Sequence, residues 1–278
     1  MKPMLDMINK FISAGQTREE KIHLLREYLQ LLILKIIYDA GYFKYLSFTG
    51  GTALRVLYDL KRFSEDLDFS LIEKKGYDFT NLHENIGGQL NKNYGLNAVI
   101  TAHSIRTVQG VDIKFAGLLF KLGLSEHRTQ VLYIKLEIDT NPPKGGDITL
   151  SLVNTSFVFT VTHFDLPSMF ATKLHACFYR KYTKGRDLYD LVWYLSRKIL
   201  PNFTLLNNAI EQTQKTSSHI SAANLAAFLS EGIDKIDFKQ VKKEVERFII
   251  NKSELDLLNA AKLKKSIASQ FAGGVNEQ

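Results

Sequence analysis

Asp66 and Asp68 stand two residues apart in the run Asp66-Leu-Asp-Phe-Ser-Leu71. On an extended strand alternate residues face one side, so both carboxylates project together while Leu67 and Phe69 turn into a core. Two anions held this close repel unless a cation lies between them. Hard divalent ions such as Mg²⁺ or Mn²⁺ take oxygen ligands, typically one or two carboxylates plus substrate phosphates. A pair of such ions activates an attacking hydroxyl and stabilises a leaving pyrophosphate. Alone, an Asp-X-Asp strand reads first as a solvent-facing acidic strand end. Gly50-Gly51 upstream alters that balance. Glycine lets the backbone approach a triphosphate, and a helix opening at Thr52 offers unpaired amides to an anion. The chemistry suggested is metal-assisted nucleotidyl transfer, with two ions expected.

Two further clusters bear on that chemistry. In Val131-Leu-Tyr-Ile-Lys-Leu-Glu-Ile-Asp139, alternation places Lys135, Glu137 and Asp139 on one face. Glu137 is the first choice for a third metal carboxylate, and Asp139, one pleat nearer the turn, is its rival. Without the first motif, the same face reads as an exposed strand bearing an ion pair. Farther on, Lys173 and Arg180 lie seven residues apart, two helical turns, and share a face. A lysine binds a triphosphate as a point charge and an arginine grips an oxygen pair with its fork. Asp187 and Asp190, three apart, are neighbours on the following helix. Asp187 either holds Lys173, orients a nucleotide, acts as a base, or simply favours the first helical turn with its charge. Asp190 either shares that work or pairs with Arg186. The basic stretch holding Arg180, Lys181, Lys184 and Arg186 is a solvated loop or a guide for an RNA backbone.

These residues need elements to position them. Thr17-Arg-Glu-Glu20 matches a capping box and predicts a helix ending near Gly41, with Ile22, Leu25, Leu29, Leu32, Ile33, Ile36 and Ile37 as its buried stripe. A short strand over 46–49 stops at the glycine pair. Residues 80–92 suit an amphipathic helix, although Gly87-Gly88 weakens it. The texture then turns to β at 96–103, 111–119, 129–139, 148–152 and 157–162, separated by glycine and proline turns. Strands following one another without helices predict a largely antiparallel extension of the first sheet. Asp165-Leu-Pro167 opens a helical half, with helices at about 166–180, 186–197, 204–214, 221–230, 238–250 and 253–270. The expected class is therefore α+β: an α/β core with a mixed, largely antiparallel sheet over residues 1–165, then a helical domain over 166–278.

Composition excludes other classes. No apolar run approaches the roughly 18–20 residues that cross a bilayer, and the first residues lack a signal-peptide apolar region. The single Cys177 rules out an internal disulfide and suits a reducing compartment. The seven histidines show no metal-ligand spacing, and no Walker or Gly-X-Ser-X-Gly sequence occurs. The net charge of +7 favours polyanionic partners.

Gly50-Gly51 followed after fourteen residues by Asp66-X-Asp68 resembles the polymerase-β-like nucleotidyltransferase superfamily. The fuller string Gly50-Gly51-Thr52-Ala53-Leu54 through Arg62-Phe63-Ser64-Glu65-Asp66-Leu67-Asp68 is similar, more narrowly, to the AbiEii/AbiGii toxin family. Lys173, Arg180 and Arg186-Asp187-Leu-Tyr-Asp190-Leu resemble that family's other main motif. The resemblance implies a bacterial, cytoplasmic toxin of a type IV-like pair, neutralised by an antitoxin and active in abortive infection. Its implied activity is transfer of an NMP from an NTP to RNA, foremost the tRNA 3′ end. The roles implied are metal binding by Asp66, Asp68 and Glu137, and catalysis by these aspartates with Lys173 and Asp187. Gly50, Gly51, Thr52, Arg62, Ser64, Arg180 and Arg186 would meet the NTP phosphates. A transferase acting on a small molecule or a protein would share the acidic strand, and a non-catalytic RNA- or antitoxin-binding module would share the fold.

Overall fold

Local signals set the first elements. In the computed structural model, which describes residues 2–180, 182 and 184–271, α1 covers Lys2–Ile12 and α2 covers Arg18–Asp39. The Thr17 hydroxyl accepts from the Glu20 amide at 3.1 Å while the Glu20 carboxylate accepts from the Thr17 amide at 3.1 Å, so the capping box is formed. The predicted stripe of α2 is buried from Leu25 to Ile37, and so are Leu31 and Leu34, whereas Ile22, in its first turns, is only half-buried. This helix is enclosed on more than one side.

The chain divides into two compact units. The first comprises Met1–Leu57, Phe63–Pro142 and Leu150–His163. It holds β1 (Leu46–Thr49), α3 (Gly50–Tyr58), β2 (Asp66–Leu71), α4 (Phe79–Lys92), β3 (Ala98–Ile105), β4 (Val108–Ala116), α5 (Leu118–Lys121), β5 (Val131–Asp139), and most of β6 (Ile148–Asn154) and β7 (Val158–Phe164). The strands form one sheet in the order β3-β4-β5-β2-β1-β7-β6. Pairs β1–β2, β3–β4 and β4–β5 are antiparallel, whereas β2–β5 and β1–β7 are parallel. Helix α4 runs unbroken through Gly87-Gly88. Its packing on β3 explains the first glycine, since a Cβ there would come within 2.8 Å of Ile100 Cγ1. Helices α2 and α4 cover one sheet face, and Leu67, Phe69, Leu136 and Ile138 are buried. The opposite parity carries Asp66, Asp68, Lys135 and Glu137.

The second unit comprises Tyr58–Arg62, Pro143–Thr149 and Phe164–Gln278. Asp165 caps α6 (Leu166–Tyr179) by accepting from the Ser168 amide at 2.9 Å. Then follow α7 (Gly185–Ser196), α8 (Phe203–Gln214), α9 (Leu225–Asp234), α10 (Phe238–Val245) and α11 (Ala260–Phe271). The helices expected at 238–250 and 253–270 are each shorter than that. Glu246–Phe248 and Lys252–Leu257 tighten into 3₁₀ turns. Lys181 of the basic stretch lies outside the described residues.

Candidate active site

The acidic face is built by register. Antiparallel pairing sets Thr49 opposite Asp68, and parallel pairing sets Asp66 beside Lys135 and Asp68 beside Glu137. Asp139 falls beside Ser70, one pleat farther along, and accepts from the Asn141 amide at 2.9 Å. Burial pushes the Asp139 carboxyl above its ordinary range. Of the two candidates for a third carboxylate, Glu137 is the one aligned with the aspartate pair.

The backbone around the pair is tied down locally. Helix α3 begins at Gly50, two residues before the expected start, and Gly50 takes φ +78°. The Thr52 hydroxyl, buried, donates to the Asp66 carbonyl. The Gln30 amide of α2 donates to the Ser64 and Asp66 carbonyls, both at 3.4 Å. Phe63 is stacked with the His23 ring at 4.7 Å and has the Arg55 guanidinium 4.5 Å from its centroid, and Arg55 is paired with Glu27 at 2.5 Å. Ser64 follows that anchored ring and is partly exposed; Gly51 is buried in the first turn of α3.

Gly50 has a second reason to be glycine: a side chain there would run into the Asp68 carboxylate. Gly50→Ala is therefore expected to lower stability by about 1–2 kcal/mol through left-handed backbone alone and to displace Asp68 as well. Gly88→Ala, where a Cβ meets nothing within 4 Å, is expected to raise stability by about 0.5–1 kcal/mol instead. Thermal unfolding of the two variants checks the contrast.

The acids have further neighbours, Lys135 expected from the sequence and Asp112 and His103 not. The Lys135 ammonium lies 2.6 Å from the Glu137 carboxylate. Its pKa is raised chiefly by that bond, against burial, with Glu137, Asp66 and Asp112 adding charge. Across β4, Asp112 stands beside Lys135 and accepts from the Tyr133 hydroxyl at 2.5 Å. His103, dismissed among scattered histidines, lies over Gly110, itself paired with Glu137 in the ladder; a Cβ on that glycine would collide with the imidazole. The signal for Asp112 and His103 was the parity of β3 and β4, readable only once the pairings are known. Buried Ser47 Oγ and Thr49 Oγ1, on the same face of β1, have no hydrogen-bond partner among the described residues.

Asp66, Asp68 and Glu137 form a hard-oxygen set suited to a divalent ion. Their side chains do not converge as they stand: no group of three metal-ligating residues occurs among the described residues, and Glu137 is engaged by Lys135. Two aligned carboxylates with phosphate oxygens still meet the needs of Mg²⁺, so the donor set fits the ion.

In the second unit, α6 and α7 bring together a buried ionic network. Lys173 Nζ lies 2.7 Å from Asp187 Oδ1 and 2.9 Å from Asp190 Oδ2. Arg62 donates both edges of its fork to Asp190, Nε to Oδ1 at 2.7 Å and Nη2 to Oδ2 at 2.6 Å. Arg180 Nη1 reaches Asp187 at 3.2 Å with its side chain 51% exposed. Asp190 and Arg62 are 0% and 2% exposed. Asp190 thus pairs with Arg62 and Lys173, whereas Arg186 lies 4.6 Å over the Phe248 ring. Burial opposes ionisation of Asp187, but Lys173 and Arg180 outweigh it and hold its pKa below the ordinary carboxylate range. Burial likewise pulls the Lys173 ammonium down, and Asp187 and Asp190 carry it above its ordinary value. The network is saturated with opposite charge.

Known proteins resemble this chain in sequence family and in fold. The family model described as nucleotidyl transferase AbiEii toxin, type IV toxin–antitoxin system, matches residues 32–262. Among solved structures, JHP933 from Helicobacter pylori is similar with TM-score 0.53 and 21% identity, covering 90% of this chain and 92% of that one. A second H. pylori structure, designated a candidate nucleotidyltransferase, gives TM-score 0.54 and 21% identity over 90% and 94% of the two chains. At that identity the likeness concerns the fold. No curated protein matches the sequence.

Proposed function

The chain belongs to the nucleotidyl transferase AbiEii toxin family of type IV toxin–antitoxin systems, and on that premise we propose that it transfers an NMP from an NTP to the 3′ end of tRNA. Family membership implies a nucleotide substrate and an antitoxin partner. The RNA acceptor, the divalent metal and a cytoplasmic location are parts of the proposal; no helix among the described residues is long and apolar enough to cross a membrane.

One observation carries the reading: the β2–β5 register, which lines Asp66 and Asp68 up with Glu137 on one face where β1 turns into α3 at Gly50. A bound Mg²⁺ or Mn²⁺ would polarise the phosphoryl group and stabilise the departing pyrophosphate. Asp66 and Asp68 would hold the ion, and Glu137 completes the acidic set. Gly50 and Gly51 let the first amides of α3 approach phosphate oxygens, with Ser64 as a nearby hydroxyl donor. Thr52 acts indirectly, holding the Asp66 carbonyl. In the second unit, Asp187 and Asp190 keep Lys173 ionised, and Lys173 and Arg180 keep Asp187 so. Arg180, half exposed, is the cation of that network available to a phosphate.

The test is incubation with total tRNA, Mg²⁺ and each labelled NTP in turn. Label in tRNA is the expected result. Label in a small molecule or a protein overturns the acceptor, and label nowhere favours a non-catalytic binding module.

A further inference from the structure

Lys135 is a cation built into the acidic face. By register it stands between Asp66 on β2 and Asp112 on β4, and its ammonium lies 2.6 Å from Glu137 on its own strand. Asp112 accepts from the Tyr133 hydroxyl, and the Lys135–Glu137 ion pair fixes an ammonium on the face that carries Asp66 and Asp68. An ammonium and a divalent ion cannot share the same carboxylate oxygens without strong repulsion.

We propose that the Lys135 ammonium takes the place of one metal ion, so that the nucleotide-loaded site of this chain holds a single divalent cation on Asp66 and Asp68. Glu137 then serves as the anchor that keeps Lys135 there. Lys135 is accordingly a positioning residue that sets metal stoichiometry. This inference rests on the metal reading above and departs from the two ions that the acidic strand suggested.

Electron paramagnetic resonance counts protein-held Mn²⁺ on the full chain, saturated in turn with the α,β-methylene analogues of ATP, GTP, CTP and UTP. Wild type is expected to hold one Mn²⁺ per chain with the analogue it binds. Lys135→Met and Lys135→Gln free Glu137 and are expected to hold two. Lys114→Met removes an exposed lysine from the same face of β4 and is expected to stay at one, which separates a local effect from a general gain of negative charge. Two ions in wild type, or one in both Lys135 variants, overturns the inference and leaves the metal reading intact. No Mn²⁺ held by any of these proteins overturns the metal reading, and the inference with it.

Discussion

Asp66→Asn is expected to reduce nucleotide transfer about a thousandfold while the protein stays folded, since a Lewis-acid ion contributes several kcal/mol to the transition state and each ~1.4 kcal/mol is a factor of ten. The fold survives because what anchors this position is its backbone. The Thr52 hydroxyl and the Gln30 amide both hold the Asp66 carbonyl, and the ladder with β5 runs through main-chain atoms. The amide removes one of two repelling charges on the strand face, so the unfolding temperature is expected to hold or rise slightly. Labelled-NTP incorporation and thermal unfolding, measured on the same preparation, separate the outcomes. Activity within tenfold of wild type would remove Asp66 from the chemistry; lost activity with a collapsed melting transition would reassign it to structure.

The acidic strand was legible because its information is local. Parity told which way Asp66, Leu67, Asp68 and Phe69 face, and the glycine pair marked the turn. The capping box of α2 and the Asp165 cap of α6 are equally short-range. What was not legible depends on which distant strand lies alongside. Glu137 and Asp139 share a face, and only the parallel pairing of β2 with β5 sets one beside Asp68 and the other beside Ser70. The same pairing brings Lys135 to Asp66 and, through β4, sets His103 and Asp112 in the same rows. Asp190 shows the limit most plainly. Helical spacing offered Arg186 as its partner, yet the guanidinium on it comes from Arg62, 128 residues away in the chain. Gly87-Gly88 weakened the helix expected over 80–92, which forms all the same. Local propensity lowered the support for it, and close packing on Ile100 outweighed that cost.

Asp190→Asn is expected to destabilise the second unit by about 3–5 kcal/mol, the usual cost of leaving a buried charge unpaired. In the wild type, two buried cations, Arg62 and Lys173, face two buried carboxylates, Asp187 and Asp190, and the charges balance. Removing Asp190 leaves both cations to one carboxylate, which Arg180 also engages. Neither can retreat to solvent: Arg62 is 2% exposed and Lys173 8%. An unfolding midpoint about 10 °C lower is expected, at roughly 2–4 °C per kcal/mol for chains of this size. Arg62→Met combined with Asp190→Leu should recover most of the loss, because apolar side chains of similar volume remove the desolvation cost together with the pair, while Lys173 keeps Asp187 at 2.7 Å. A single variant that melts with the wild type would show the network to be energetically idle. If the double variant were as unstable as the single, shape at this position, rather than unpaired charge, would account for the loss.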